Sequence, residues 1–498
     1  MRCSLSFLVY ALAILLGLAL DITGVLHVYG LGQLMGQKLA AGTAVGYVAL
    51  AVGWVVVAFR TRPTPDNRAS PPAHLGPVPL AHSWWFRRVL VLLMLLAWLA
   101  TWRDVAVFLS PDPPVGFWPT MAAGGVAVAL FGALVWPPPP GALLVGAAIV
   151  GVGMRLGSLA CVPIEPSRGD MLPLVQQALG TLLRGASPYT TYAMPWELPL
   201  TYLPVTWLAY LPPYLLGFDI RLTNLVAELV AGAALVWLAA VRQRARVGGD
   251  WRSALRWVWH EEQGLVLWAW IFLQPSVLHW FLVTTAPVWW ALLSVTLALL
   301  LAGRNGLAAG FLGLCAAASP MTAVAAPFVV LCWLRSAGWR RTVAWCGVAG
   351  GVALVCIGPF LLWSPDQFLL GTWRWFNDNQ MFPQLKWETE RTWAMMPGLS
   401  GLFWQSGLVG VLKPLQALLL LSLLGLFWGA QAAGWRLAPF VAAAFLLFMV
   451  VNPVLWPYLY HPALIAALFV VATLGRPCCA SEDGLSHRFR VALEDTET

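Results

Sequence analysis

Residues 162–221 read VPIEPSRGDMLPLVQQALGTLLRGASPYTTYAMPWELPLTYLPVTWLAYLPPYLLGFDIR. Charge, prolines and aromatics occur together here, between hydrophobic spans. The stretch opens on the turn Arg168-Gly169-Asp170. Leu172, Val175, Leu179, Leu182 and Leu183 then recur near helical spacing, which predicts a short amphipathic helix over Met171 to Arg184. Gly185 ends it, and Ser187-Pro188-Tyr189 turns the chain. Leu198 to Gly217 is apolar, aromatic and rich in proline. Such a piece suits a membrane interface better than a regular span.

Whether that piece crosses the membrane decides the topology. Arg242, Arg244, Arg246, Arg252 and Arg256 follow the next span, about 220–241. Cytoplasmic loops collect Arg and Lys. Arg60, Arg62, Arg68, Arg87 and Arg88 mark an earlier cytoplasmic loop. Both clusters lie on one side only if 199–217 stays on the outer face. Pro204, Pro212 and Pro213 agree, because each removes a helical hydrogen bond.

Composition sets the class. Of 498 residues, 60% are hydrophobic and 10% charged, and the mean hydropathy is +0.75. These values exclude an ordinary soluble domain and predict a polytopic, all-α membrane protein. Many of the 30 tryptophans sit near expected span ends, where their rings favour the headgroup region. The formal charge of +8 resides mainly in short loops, so it reads as a topology signal and not as a nucleic-acid surface.

Expected spans run at about 4–24, 39–59, 89–108, 118–136, 141–161, 220–241, 262–281, 286–302, 341–363, 408–429, 437–452 and 459–475. Residues 305–318 and 320–334 read as half-length helices hinged at Ser319-Pro320. The total is about 13–14 transmembrane helices with interfacial helices on the outer face. Two long outer loops are expected at 163–219 and 364–407, an aromatic outer turn at 452–462, and a polar cytoplasmic tail at 476–498. Residues 4–20 read as a retained first span, not as a cleaved signal. Eight cysteines form no disulfide framework. Cys315, Cys332, Cys346 and Cys356 read as core residues, and Cys478-Cys479 as a thiol pair. No CxxC or HExxH motif occurs, so no cofactor or metal is expected.

Chemistry is expected where polar side chains collect, which is in the outer loops. A carboxylate there can serve as a general base, and cations can hold a phosphate leaving group. Asp170 is the first candidate for the base and Glu165 the second, although Asp170 also suits a helix N-cap. Arg168, Arg184, Tyr189, Arg374, Lys386, Arg391, Tyr460 and His461 are candidate substrate-binding residues. Arginines at membrane surfaces commonly snorkel, and His461 with Tyr458 and Tyr460 also suits an interface belt. Asp21, Arg155, Glu228 and Lys413 lie in or near spans, where local pairing or a transport relay is expected.

Asp170…Leu183-x-Gly185-x-x-Pro188-Tyr189…Tyr202-x-Pro204, with Gly217-x-Asp219-x-Arg221 downstream, resembles the first outer loop of GT-C class glycosyltransferases. More closely, it is similar to that of bacterial polyprenyl-phosphate-mannose-dependent mannosyltransferases and their relatives. The resemblance continues at Leu273-Gln274-Pro275, from Gly303-Arg304 to Pro327, and at Asn452 to Pro462, and covers roughly 141–475. It implies a GT-C-like domain over 141–475, preceded by extra membrane helices in 1–140. It also implies inverting transfer of a sugar, mannose in those relatives, from a polyprenyl-phosphate carrier to a glycan, lipid or protein acceptor of the cell envelope. Asp170 matches the family's catalytic acid. The setting implied is a bacterial cytoplasmic (inner) membrane with the site on the outer face. Two departures stand out. About four spans precede the family's usual first one, and Thr284-Thr285-Ala286-Pro287 lacks the acid many relatives carry, so a divalent metal is not supported. A lipid or glycan transporter (a flippase) and a non-catalytic envelope-assembly scaffold are the other readings. No duplicated halves are visible to favour transport.

Overall fold

A computed structural model describes residues 2–28, 32–60, 88–89, 91–96, 98–99, 117–194, 197–247, 250–262, 264–375, 398–430, 434–452 and 456–474. Residues 61–87, 100–116, 376–397 and 475–498 lie outside them, and with them much of the span expected at 89–108.

The chain is an all-α membrane protein. Its helices are α1 (Arg2–Val28), α2 (Gly32–Arg60), α3 (Phe117–Val135), α4 (Pro140–Cys161), α5 (Met171–Leu183), α6 (Pro204–Leu208) and α7 (Leu211–Leu215). These are followed by α8 (Leu222–Val247), α9 (Trp251–Glu261), α10 (Gly264–Leu273), α11 (Pro275–Val283), α12 (Ala286–Leu301), α13 (Asn305–Ala318) and α14 (Thr322–Trp363). The last described helices are α15 (Pro365–Leu369), α16 (Ser400–Gln405), α17 (Leu412–Gly429), α18 (Gly434–Val450) and α19 (His461–Leu474). Among the described residues five helices are long and apolar enough to cross a membrane, and a bent pair makes a sixth. Seven shorter apolar helices of 10–17 residues accompany them.

The sequence pattern is followed closely at α3, α4, α12, α13 and α17. Three expectations need correction. The span expected at 262–281 is two helices, α10 and α11, bent by 62°. Pro275 has no amide to donate, and Gln274 before it is extended at φ −63° and ψ 133°. The basic stretch after α8, read as a loop, contains α9, whose Asp250 caps it through a 2.9 Å hydrogen bond from the Ser253 amide. Ala254 and Val258 are buried while Trp251, Leu255 and Trp259 are exposed, which is the pattern of a helix lying on an interface. The chain also holds one small β-element. β1 (Thr191–Ala193) pairs antiparallel with β2 (Glu197–Pro199), with Tyr192 opposite Leu198.

Helix α14 is two helices in one run. Gly338, at φ 77° and ψ 169°, breaks it between the pieces expected at 320–334 and 341–363. Positive φ is the region a glycine reaches without a Cβ clash.

One hydrophobic core runs through the bundle, from Val9 in α1 to Ala472 in α19. The N-terminal helices belong to it: α1 packs on α11 and α19, and α2 on α18. Gly17 lies so close to Trp270 that a Cβ would sit 2.6 Å from the indole. Inside this core Arg155 of α4 donates to Glu228 of α8 at 2.5 Å, both nearly sealed from solvent. Phe272 lies 3.9 Å under the guanidinium. The local pairing expected of isolated intramembrane charges is therefore present here.

Candidate functional site

A second, smaller hydrophobic core sits at one end of the bundle. It joins α5, the β-hairpin, α6 and α7 to the start of α12 and the end of α14. Leu172, Val175 and Leu179 face inward, as their spacing predicts, while Leu183 is exposed. Each fully buried aliphatic side chain of this kind stabilises by roughly 1.5–3 kcal/mol. Two hydrogen bonds and one close backbone approach fasten the cap to the rest of the chain. Thr206 Oγ1 donates to the Ala318 carbonyl at 2.6 Å, and Ser364 Oγ to the Tyr189 carbonyl at 3.4 Å. The Leu200 carbonyl lies so near Gly371 that a Cβ there would come within 2.1 Å. The segment 199–217 is thus a strand end and two single-turn helices, α6 and α7, each too short to cross a membrane.

Asp170 lies where this cap meets the bundle. Residues 165–169 form a turn closed by the Arg168 and Gly169 amides on the Glu165 carbonyl. The turn docks on the end of α11, where a Cβ on Gly169 would meet Val283 at 2.9 Å. Asp170 holds the N-cap position of α5, yet its backbone is helical (φ −78°, ψ −20°) and its side chain makes no cap hydrogen bond. A capping aspartate ordinarily has extended backbone and accepts from the first turn. Two phenols lie within electrostatic reach of the carboxylate. Burial, and then the charge on Asp170, push Tyr202 well above its ordinary value. Asp170 also stands within electrostatic reach of Tyr458, in the Pro457–Tyr460 turn before α19. Elements far apart in sequence therefore converge on Asp170, with Tyr202 from the cap and Tyr458 from the last described turn.

Glu165, the second candidate, is tied down. Arg168 Nε donates to Glu165 Oε1 at 2.8 Å. That hydrogen bond, with a further one from Ser167, holds the Glu165 carboxyl below its ordinary value.

The other expected residues scatter. Arg184 caps the far end of α5 and donates to Thr181 Oγ1 at 3.1 Å. Thirteen helical residues separate it from Asp170, or about 20 Å. Tyr189 is buried, and its hydroxyl donates to the Tyr202 carbonyl at 2.8 Å and accepts from Trp207 Nε1 at 3.3 Å. Its ring packs on Phe368 at 4.6 Å between centroids. Tyr460 and His461 are buried in the bundle, Tyr460 stacked on Tyr47 and His461 on Trp290. Arg374 is exposed at the end of the turn that begins at Leu370. Lys386 and Arg391 lie outside the described residues.

Of three further residues near the site, Asn224 was not singled out in the sequence, Arg221 entered only through the Gly217-x-Asp219-x-Arg221 motif, and Tyr458 only beside Tyr460 and His461 in the aromatic outer turn. Asn224, fully buried, donates to the carbonyls of Phe281 and Thr284, both at 2.8 Å, and accepts from the Tyr210 hydroxyl at 2.5 Å. It thereby satisfies carbonyls at the end of α11, the wall against which Gly169 rests. Arg221 is buried and forked onto Asp219 at 2.6 Å, and also donates to the Leu159 carbonyl. The signal for Asn224 was available: an amide in the first turn of an apolar span is costly unless partnered. Tyr458 carried no such signal, because phenols are ordinary in interface turns.

Among the described residues no group of three or more His, Cys, Asp or Glu side chains could hold a metal ion. Chemically, the arrangement offers one carboxylate in electrostatic reach of two phenols, the buried Tyr458 and the partly buried Tyr202, with an arginine–glutamate pair two to five residues upstream. Comparison with protein-family models and with curated proteins finds no match.

Proposed function

We propose that this protein is an integral-membrane glycosyltransferase. It transfers a sugar from a polyprenyl-phosphate carrier to an envelope acceptor, with Asp170 as the general base. Asp170 takes the proton of an acceptor hydroxyl, the oxygen attacks the anomeric carbon, and the polyprenyl phosphate leaves with inversion. Mannose is the sugar the resemblance suggests; the acceptor class is a glycan, lipid or protein. The proposed setting is a bacterial inner membrane with the cap on the outer face.

The observation that carries this reading is the state of Asp170. It stands at the seam of cap and bundle, next to the turn that docks on α11 and within electrostatic reach of Tyr202 and Tyr458. Arg168 is the nearest arginine in sequence for a phosphate, although Glu165 already engages it.

The test is reconstitution in vesicles with a radiolabelled polyprenyl-phosphate sugar and envelope lipids. Wild type is expected to transfer label, and Asp170→Asn to do so at least about a hundredfold more slowly with unchanged thermal stability. Near-normal transfer by the variant would remove Asp170 from the mechanism. Orientation is tested separately. An impermeant maleimide is expected to label Ser167→Cys from the outside and Ser253→Cys only from the inside.

One observation favours a second reading, a lipid or glycan transporter. The α10–α11 break places Asp21 of α1, nearly sealed from solvent, on the Ser276 amide at 3.2 Å. Broken helices facing buried charge are frequent in transporters. Donor movement across the vesicle membrane without sugar transfer would select it.

A further inference from the structure

At the end of the bundle opposite the cap, an open depression of about 480 Å³ lies between two interruptions of the helices. One is the turn from Gly303 into α13, and the other is the Gly338 break in α14, with Ser336 and Ala337 before it and Arg341 and Trp345 after it. Arg304 projects from the first and Arg341 from the second, with Ser336 and Asn305 between them and Trp345 on one side.

The arginines nearby are not equivalent. Arg335 donates to the Trp428 carbonyl at 2.5 Å and lies over its ring. Arg340 lies over Trp339. The side chains of Arg304 and Arg341 make no hydrogen bond and no ion pair with any described residue, and both line the cavity. Two like charges facing one space repel, and a shared anion relieves that repulsion. Guanidinium forks match phosphate oxygens in geometry. Asn305 is held in place, since its Oδ1 accepts from Trp333 Nε1 at 3.0 Å, which leaves its amide as a further donor. The amides of the first turn of α13 have no intrahelical acceptors and strengthen the same field, but the two guanidiniums give the selectivity.

Leu307, which also lines the cavity, is more than half exposed, and Val343 and Trp339, close to Arg341 in sequence, are exposed too. Exposed guanidiniums beside exposed apolar side chains at the end of a bundle fit a headgroup with its acyl chains alongside.

We infer that Arg304 and Arg341 form a binding site for a phosphate group, of the kind carried by an anionic lipid headgroup or by a soluble phosphate monoester. The site is separate from Asp170 and does not depend on the proposed transfer reaction.

The experiment uses the full chain in nanodiscs. Thermal stability and native mass spectrometry are compared in phosphatidylglycerol and in phosphatidylcholine, and again in phosphatidylcholine with added glycerol phosphate. Phosphatidylglycerol is expected to raise the melting temperature and to co-purify with wild type. R304Q/R341Q is expected to weaken that retention about tenfold or more, while R340Q leaves it unchanged. Elevated salt is expected to weaken retention in wild type. A shift with glycerol phosphate alone would assign the site to a soluble phosphate; a shift with the lipid alone assigns it to the membrane. Should the double variant fail to insert, R304Q and R341Q are read singly in the same way. Equal retention by wild type and variants, or no anion-dependent shift in wild type, would overturn the inference.

Discussion

Arg155 and Glu228 meet at 2.5 Å across α4 and α8, with side-chain exposures of 1% and 6%. Neither residue has a sequence neighbour of opposite charge, so the pair exists only because the tertiary structure packs both α4 and α8 on α10 and brings the two side chains into reach. Removing one partner leaves a buried charge uncompensated. Glu228→Leu or Arg155→Met alone is expected to destabilise by about 3–5 kcal/mol, whereas both together should restore most of it. Thermal melts of the four proteins in one detergent check this. Equal losses in single and double variants would show that the pair is not coupled.

Asp21 supplies α11 with a cap from another helix. The Ser276 amide, in the first turn after Pro275, has no acceptor within its own helix and donates to Asp21 Oδ1. Asp21→Ala is expected to cost about 1 kcal/mol, and Asp21→Asn, which keeps an acceptor, distinctly less. Melting temperatures of the two variants, measured side by side, check the order. If Asp21 instead serves a transport relay, Asn should abolish transport while the melt barely moves.

Tyr189 and Asp170 separate structure from chemistry. The Tyr189 hydroxyl joins the turn after α5 to the segment before α6 through the Tyr202 carbonyl. Tyr189→Phe is expected to lower stability by about 1 kcal/mol and to leave donor affinity unchanged. Donor titration and thermal melts on the same preparation test this. A donor-affinity loss with no stability loss would return Tyr189 to the substrate-binding set.

The Glu165–Arg168 pair predicts a pH response with a definite sign. Its hydrogen bonds hold Glu165 below the ordinary value of 4.5 in the folded protein. The stabilisation is then present above 4.5 and is lost as pH falls through the lower folded value. Because the pair is at the surface, the effect is small. Melting temperature plotted against pH should fall less steeply on the acid side in Arg168→Gln than in wild type. Parallel curves would show that the pair makes no contribution.

The helices were legible in the sequence because a hydrocarbon environment demands long apolar runs with their own hydrogen bonds. That demand placed α3, α4, α12, α13 and α17, and the arginine asymmetry led to 199–217 being read as something other than a span. Helix α5 was legible too, since Leu172, Val175 and Leu179 mark one face whatever lies beneath it. The break at Gln274 was half-legible: Pro275 is visible, but whether a proline kinks or ends a helix depends on what replaces the lost hydrogen bonds. Asp21 from α1, more than 250 residues away in sequence, meets the freed amide of Ser276. Tertiary structure alone decided which polar residues meet. Arg168 and Arg184 look alike in sequence, yet the length of α5 separates them. Asp170 finds Tyr202 and Tyr458 only when the cap closes on the bundle. Hydrophobic periodicity is a property of one helix, so sequence can state it. The partner of a buried charge is a property of two helices in contact, and packing alone determines it.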